Sequence, residues 1–379
     1  MEINKSGATF SSIVGIGVKL KKRSEEQKQE YLFLNRGVNA VCPIDLKEVV
    51  CKIDFNTPRI QVYPPNKGMQ ELRKAISEEY FGGQSDPDQI SIVPGGMPAI
   101  DLTVQTLKLD KLYFANYFWG SYAKVAKIRG IETAHYSSPA DLIRKIKADT
   151  PERKVAVLLC DPNNPVGDKM DDDNLVQWIR ALNSLGAVVL FDSPYRRIYC
   201  GKEDPLFRQI GALENVIILE SFSKSMGLSG QRIGFIHSVN AEFNEELNIR
   251  ILYSINGVNA FAQELIYLLL TTEEGRKAVL NFRKKTAEDI GKNITWLQEQ
   301  GLLAKQLYTK NKPVGIFAVV NKSEEELLNY RIGSVSMNYF TSQKTSETAA
   351  MSRICVSVPH ETFVRFFAPA LSRVLEAQT

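Results

Sequence analysis

The chain has 379 residues, with 47 Lys and Arg against 43 Asp and Glu for a formal net charge of +4; 44% of the residues are hydrophobic and 24% charged. This is the balance of a folded globular protein large enough for one big α/β domain and a smaller one, and so slight a positive excess argues against a nucleic-acid partner. Five cysteines, an odd count with no Cys-x-x-Cys pair, argue against a disulfide framework or a structural zinc site, and no apolar run is long enough to span a bilayer.

The start of the chain lacks a basic stretch followed by an apolar run and a cleavage site, so the expectation is a cytoplasmic protein with reduced thiols. Gly15-Ile-Gly17 invites a dinucleotide reading, but it has neither a third glycine nor a preceding strand, and that reading is discarded. Residues 19–30, KLKKRSEEQKQE, interleave both signs of charge and predict a solvated helix or arm.

From about residue 63 to 270 short apolar, β-branched runs alternate with stretches of helical spacing. The runs are Gln89–Val93, Lys111–Phe114, Val155–Leu159, Ala187–Phe191, Val216–Leu219 and Ile233–Ile236, and Asn174–Leu185 is one of the helical stretches. Such alternation predicts a largely parallel sheet covered on both faces. Ala260–Leu270 is the longest apolar patch, yet it contains Gln263 and Glu264 and reads as a core helix. Glu273–Glu299 then predicts a long charged helix, Ile316–Val320 and Arg353–Val358 two further strands, and Phe363–Glu376 a C-terminal helix. The expected division is an N-terminal arm and part of a small domain over 1–56, a large domain over 57–268, and a small C-terminal domain over 269–379.

Chemistry gathers where these runs end. In an open parallel sheet, ligands bind beyond the carboxyl ends of the strands. Val155–Cys160 runs into Asp161-Pro-Asn-Asn-Pro-Val-Gly167, Ala187–Phe191 into Asp192-Ser-Pro-Tyr195, Val216–Glu220 into Ser221-Phe-Ser-Lys224, and Gln89–Val93 into Pro94-Gly95-Gly96. A lysine buried near other cations becomes a nucleophile for carbonyls, which is the reading of Lys224. Arg232, eight residues after Lys224, is able to fork onto a phosphate, and Gly95 and Gly96, opening an expected helix, offer bare amides to an anion. Asp192 after a hydrophobic strand needs a cationic partner to stay ionised, and a protonated pyridine nitrogen is one. Simpler readings exist: Asp192 as a helix cap, Asn164-Pro165 as a turn, Arg353 as a structural ion-pair partner, and Trp119 as core packing. Together, though, the groups match an aldehyde, a phosphate, a ring nitrogen and a phenolate, the handles of pyridoxal 5′-phosphate. His135, His237 and His360 fall outside every motif, so neither a metal cluster nor a histidine-based triad is expected.

These residues resemble the class I/II aminotransferases, the fold-type I, aspartate aminotransferase-like enzymes that depend on pyridoxal phosphate. Residues 221–234 fit S-x-S-K-x-x-G-L-x-G-x-R-x-G throughout; Asn163-Asn-Pro-Val-Gly167 resembles N-N-P-T-G, with Val166 in place of threonine. Asp192-Ser-Pro-Tyr195 fits D-x-x-Y, Tyr63 to Arg73 resembles Y-x-x-x-x-G-x-x-x-L-R, and Arg353-Ile-Cys-Val-Ser357 resembles the late R-[IL]-x-[VL]-S strand. Five motifs in the family's order make the resemblance specific. It implies a large domain with a mainly parallel seven-stranded sheet and a smaller α/β domain.

By the same resemblance, Lys224 forms the Schiff base and shuttles the proton at the substrate Cα, Asp192 keeps the pyridine nitrogen protonated, and Asn164 and Tyr195 bond the phenolic oxygen. Ser221, Arg232 and the Gly95–Gly96–Met97 backbone hold the phosphate. Trp119 stacks on the ring, with Tyr117 or Tyr122 as alternatives. Arg353 takes the substrate α-carboxylate beside Asn164, and Gly37 lines the substrate pocket. Tyr63 reaches the phosphate of a neighbouring subunit, which implies a homodimer with shared sites. The expected activity is transfer of an amino group from an amino acid to a 2-oxo acid. Val166, and Val335-Ser-Met-Asn338 where the family often has V-x-P-G, keep open another reaction of the same cofactor on an amino acid, by a C–S lyase, a cyclising synthase or an oxidative deaminase. A non-catalytic regulator module is disfavoured, because no winged-helix segment precedes the region that starts near residue 31. The identity of the amino acid is not legible.

Overall fold

The computed structural model describes residues 1–3, 5–149, 152–199, 204–309 and 311–376. Its centre is a seven-stranded sheet of β1 (Ile90–Val93), β2 (Lys111–Ala115), β3 (Glu132–Tyr136), β4 (Val155–Cys160), β5 (Val188–Asp192), β6 (Val216–Ser221) and β7 (Gly234–His237), in the order β1-β7-β6-β5-β4-β2-β3. Six strands run in one direction; β7 is antiparallel to both neighbours. β1, β6 and β7 are buried along their whole length, which is why they read as continuous apolar runs. β3 was not foreseen. It is an edge strand, with Glu132 and Thr133 exposed, and its sequence ETAHY has no apolar run to mark it.

The register aligns the strand ends. Cys160 pairs with Asp192, Asp192 with Leu219, Ser221 with Gly234, and Gly234 with Val93. The polar segments that follow β1, β4, β5 and β6 therefore leave the sheet along one edge.

Two apolar clusters cover the two faces of this sheet. One joins Ile92, Val157, Phe191 and Ile218 to Leu72, Ile76 and Tyr80 of α1 (Gln70–Phe81). The other joins Leu112, Leu158, Leu190 and Leu219 to Ala99 and Ile100 of α2 (Gly96–Thr106) and to Tyr122 and Val125 of α3 (Ser121–Ile128). The helix Ala260–Thr271 packs in the first cluster, and Gln263 is satisfied there: its Oε1 accepts from Met69 N at 2.7 Å and its Nε2 donates to Val258 O at 2.7 Å.

A separate cluster gathers around a three-stranded antiparallel sheet, in which Ser352–Cys355 lies between Phe317–Val320 and Val335–Ser336. It takes in the long helix Glu273–Glu299 and, from the N-terminal segment, Leu32 and Leu34. Leu32–Phe33 pairs with Ile332–Gly333. The charged run at 19–30 belongs to the helix Ser12–Gln27, whose one buried residue, Leu20, packs on Gly333; a Cβ on that glycine would come within 2.3 Å of Leu20 Cδ1. Gly15 and Gly17 lie inside this helix; Gly17 serves close packing, since a Cβ there would sit 3.2 Å from Asn35 Nδ2, whereas one on Gly15 would meet nothing within 4 Å.

Cys42, Cys51, Cys160 and Cys355 are free thiols; Cys200 lies outside the described residues. Among the described residues no helix is long and apolar enough to cross a membrane, and no group of His, Cys, Asp and Glu is placed to hold a metal ion.

Candidate active site

Asp192 ends β5 and is 5% exposed. Burial pushes its carboxyl up to about 7, against the pull of a hydrogen bond from the Tyr122 hydroxyl to Oδ2 at 2.5 Å. No lysine, arginine or histidine among the described residues donates to it. Asp192 is thus a buried acid whose side-chain donor is an uncharged phenol.

Lys224 lies in the single helical turn Phe222–Ser225 after β6, which Ser221 caps by accepting from Ser223 N. Its Nζ donates to the Gly37 carbonyl. Burial lowers the ammonium to about 8, and the charges of Arg232, Arg353 and Arg36 push the same way. A large neutral fraction near pH 8 makes this amine able to attack a carbonyl or take a proton.

Gly95 and Arg232 form an anion cradle. Gly95 caps α2 with φ +90°, a conformation that favours glycine. A Cβ there would meet Arg232 Nη2 at 2.8 Å. The Arg232 guanidinium lies on this turn, donating to Pro94 O at 3.3 Å and Ser229 O at 2.8 Å. The site of a Cβ on Gly96 is 3.7 Å from Ser221 Cβ, and the Ser221 and Ser223 hydroxyls are bonded at 2.9 Å. Bare amides at Gly96 and Met97, two hydroxyls and a guanidinium at the start of an 11-residue helix suit a dianion.

A third group surrounds Arg353, which is 2% exposed. Its Nη1 donates to Asn164 Oδ1 at 3.2 Å and its Nη2 to Asn35 O at 2.5 Å. The guanidinium carbon lies 4.3 Å from the Phe317 ring centre and 4.7 Å from that of Phe340. Asn164 Nδ2 donates to the Tyr195 hydroxyl at 3.3 Å, and the Tyr195 ring stands edge-on to Phe317. Gly37 closes the group, since a Cβ there would fall 2.5 Å from Phe317 Cζ. Lys224, Asp192, Tyr195, Asn164, Arg353 and Gly37 thus meet beyond the strand ends, with Arg232 within electrostatic reach of Lys224.

Trp119 is half-buried and edge-on to Tyr122, 5.5 Å between ring centres. Tyr117 packs instead with the cluster of Val166, Met337 and Phe340. Tyr63 stands apart, 84% exposed. The two departures from the motifs are locally satisfied. Val166 is buried in that cluster, and its carbonyl accepts from the Tyr308 hydroxyl at 2.5 Å. In the turn after Val335–Ser336, Asn338 N donates to Ser336 Oγ at 3.3 Å and Asn338 Oδ1 accepts from Thr348 Oγ1 at 2.5 Å.

Several site residues were not singled out from sequence. Asn39 Nδ2 donates to Lys224 O at 3.3 Å, and Asn39 Oδ1 accepts from Ser357 Oγ at 2.7 Å. Arg36, Ser223 and the Asn35 carbonyl also belong to the site. Tyr122 entered only as an alternative for stacking; its bond to Asp192 was not foreseen. Asn35 and Asn39 flank Gly37 in LNRGVN, so two asparagines around a close-packed glycine were the one local signal.

The family model described as aminotransferase class I and II matches residues 35–367. An aspartate aminotransferase of Pyrococcus horikoshii is 26% identical over 319 residues, covering 80% of this chain and 75% of that protein. An LL-diaminopimelate aminotransferase of Prochlorococcus marinus is 26% identical over 326 residues, covering 71% and 79%. Among solved structures, Thermus thermophilus aspartate aminotransferase with maleate superposes with a TM-score of 0.81 at 19% identity, covering 98% of this chain and 100% of that one.

Proposed function

The chain belongs to the aminotransferase class I and II family, and from that premise we propose that it binds pyridoxal 5′-phosphate at Lys224 and passes the amino group of an amino acid to a 2-oxo acid. It is an enzyme acting on an amino acid, as its relatives are named; the cofactor, the residue roles and the assembly are the proposal. The observation that carries it is the combination of Asp192, a buried acid without a protein cation, and Lys224, a half-buried amine whose ammonium is lowered to about 8. The residues fit the cofactor: a carboxylate for a ring nitrogen, an amine for an aldehyde, and a cradle of glycine amides, serine hydroxyls and Arg232 for a phosphate.

When bound, the cofactor supplies an aldehyde for covalent attachment and a ring that draws electrons from the substrate Cα. Asp192 would pair with the ring nitrogen and favour its protonated form. Asn164 and Tyr195 would hydrogen-bond the phenolic oxygen. Arg353, flattened between Phe317 and Phe340, presents its fork to the substrate α-carboxylate and fixes Cα near Lys224. Lys224 would act as the general base that takes the proton from the substrate Cα and holds it on Nζ. Trp119 would support the ring face, and the Gly37 backbone, packed against the Phe317 ring, would line the substrate pocket.

The enzyme works as a homodimer in this reading. Tyr63 and Tyr253 are each 84% exposed and Val62 56%. The segments that carry them touch, with Pro64 Cγ 3.6 Å from where a Cβ on Gly257 would stand, and this region is the proposed partner surface. The free thiols fit a reducing compartment, and the cytoplasm is the proposed location.

A half-reaction tests the proposal. Protein saturated with pyridoxal phosphate is mixed with single amino acids and no acceptor. A 2-oxo acid formed in an amount equal to the enzyme supports it; continuous release of ammonia or a thiol identifies a lyase instead.

A further inference from the structure

Among the described residues, Tyr122 is the one side chain that donates to the Asp192 carboxylate. Its hydroxyl reaches Oδ2 at 2.5 Å, and both residues are buried, Tyr122 at 3% and Asp192 at 5%. Tyr122 is carried on the first turn of α3, where its amide donates to Trp119 O at 2.9 Å, and its ring is fixed edge-on by Trp119. Beyond it lies a cavity of about 310 Å³, lined by Cys160, Asn163, Phe118 and Tyr136 among others and by no lysine, arginine or histidine.

The carboxylate is otherwise badly placed for ionisation. Its titratable neighbours are Cys160, Tyr195 and the buried acid Glu220, and none of them is a cation. A buried carboxylate with no hydrogen-bond donor takes up a proton.

We propose that Tyr122 is a positioning residue: its hydroxyl holds one oxygen of Asp192, keeping the carboxylate ionised and its other oxygen turned to the cofactor ring nitrogen. This rests on the reading that Asp192 faces that nitrogen. The donor's lack of charge is the point. A lysine, arginine or protonated histidine in its place would ionise Asp192 too, but would also repel the protonated ring and cancel part of the attraction. A phenol stabilises the anion through a short charge-assisted bond and adds no charge. Burial and the adjacent carboxylate keep the Tyr122 hydroxyl far above its ordinary range, so it remains a donor at any working pH.

The test compares two ligands on the same protein: pyridoxal 5′-phosphate and its 1-deaza analogue, in which carbon replaces the ring nitrogen. Affinities are measured by titrating the full-length apoprotein, as wild type, Tyr122→Phe, Tyr122→His and Asp192→Asn. Tyr122→Phe keeps the ring and its contact with Trp119. The expected result is that it weakens pyridoxal phosphate on the order of tenfold while leaving the analogue unchanged, and that Tyr122→His, which restores a donor, recovers part of the loss. Because both ligands report on one protein, general destabilisation cancels in the ratio. A Tyr122→Phe ratio equal to wild type, by loss of both ligands or of neither, overturns the proposal. If Asp192→Asn also leaves the ratio unchanged, the reading of Asp192 itself fails; if Asp192→Asn alone changes it, only the role of Tyr122 does.

Discussion

Asn164 joins the two halves of the site: its Oδ1 accepts from Arg353 at 3.2 Å while its Nδ2 donates to the Tyr195 hydroxyl at 3.3 Å. One amide thus sets both the guanidinium proposed for the substrate carboxylate and the phenol proposed for the cofactor oxygen. An asparagine alone offers an acceptor and donors on one short, neutral side chain. Asn164→Asp puts an anion against Arg353 and occupies it. The substrate KM is expected to rise, and the absorption band of the bound cofactor to shift, in the same variant.

Arg353→Lys is expected to lower kcat/KM by about 10- to 150-fold, the equivalent of about 1.5–3 kcal/mol for a lost hydrogen bond to a charged group. Lysine keeps the charge but not the planar fork that lies between Phe317 and Phe340. Steady-state kinetics with a good amino donor checks this. A variant as efficient as wild type would count against Arg353 as carboxylate receptor.

Lys224 governs a pH dependence that can be read without substrate. Its amine is held near 8, chiefly by burial. Only the neutral amine attacks an aldehyde, so the rate of covalent capture of pyridoxal phosphate by the apoprotein should climb about tenfold per pH unit below 8 and level off above it. Stopped-flow absorbance follows the capture, and Lys224→Ala should abolish it at every pH.

Gly37→Ala should disturb the site through Phe317. The added Cβ falls 2.5 Å from Phe317 Cζ, and that ring is 1% exposed, wedged between Tyr195 and Arg353. With no free space to turn into, the ring must push on the arginine. The expected outcome is a raised KM for the amino acid with little change in cofactor affinity, measured in parallel by kinetics and equilibrium dialysis.

His237 predicts an acid limit to stability. It is 1% exposed, stacked on Phe81 and bonded to Ser85 Oγ at 2.8 Å, and burial lowers it from 6.5 to about 3. Between those values the unfolded chain binds a proton that the folded chain refuses. Its contribution is therefore intact above about 6.5 and is lost as the pH falls toward 3. His237→Gln should flatten the fall in melting temperature across that window, whatever it does to stability at pH 7.

Much of this was legible along the chain. Asp192, Ser221 and Lys224 were singled out because each stands at or just after the end of an apolar run that reads as a buried strand, and a charge at such an end is costly unless it is used. The long helix Glu273–Glu299 was read to the residue from its charged, periodic pattern. Two features of the sheet were not. β3 is an edge strand without an apolar signature, and the largely parallel sheet that was expected left open which strand runs the other way; it is β7, and a central strand has the same composition in either direction.

By itself the sequence determined which groups are present and in what order they leave the sheet, because strand burial and turn chemistry are local. It could not decide which groups touch. Asn35 and Arg353 are 318 residues apart, Asn39 and Lys224 185, and Tyr122 and Asp192 70. Those contacts exist only after the N-terminal segment has packed on the C-terminal sheet and α3 on the central one. A hydrogen bond needs its partners within a few tenths of an ångström, and only the packing of whole elements sets distances that finely.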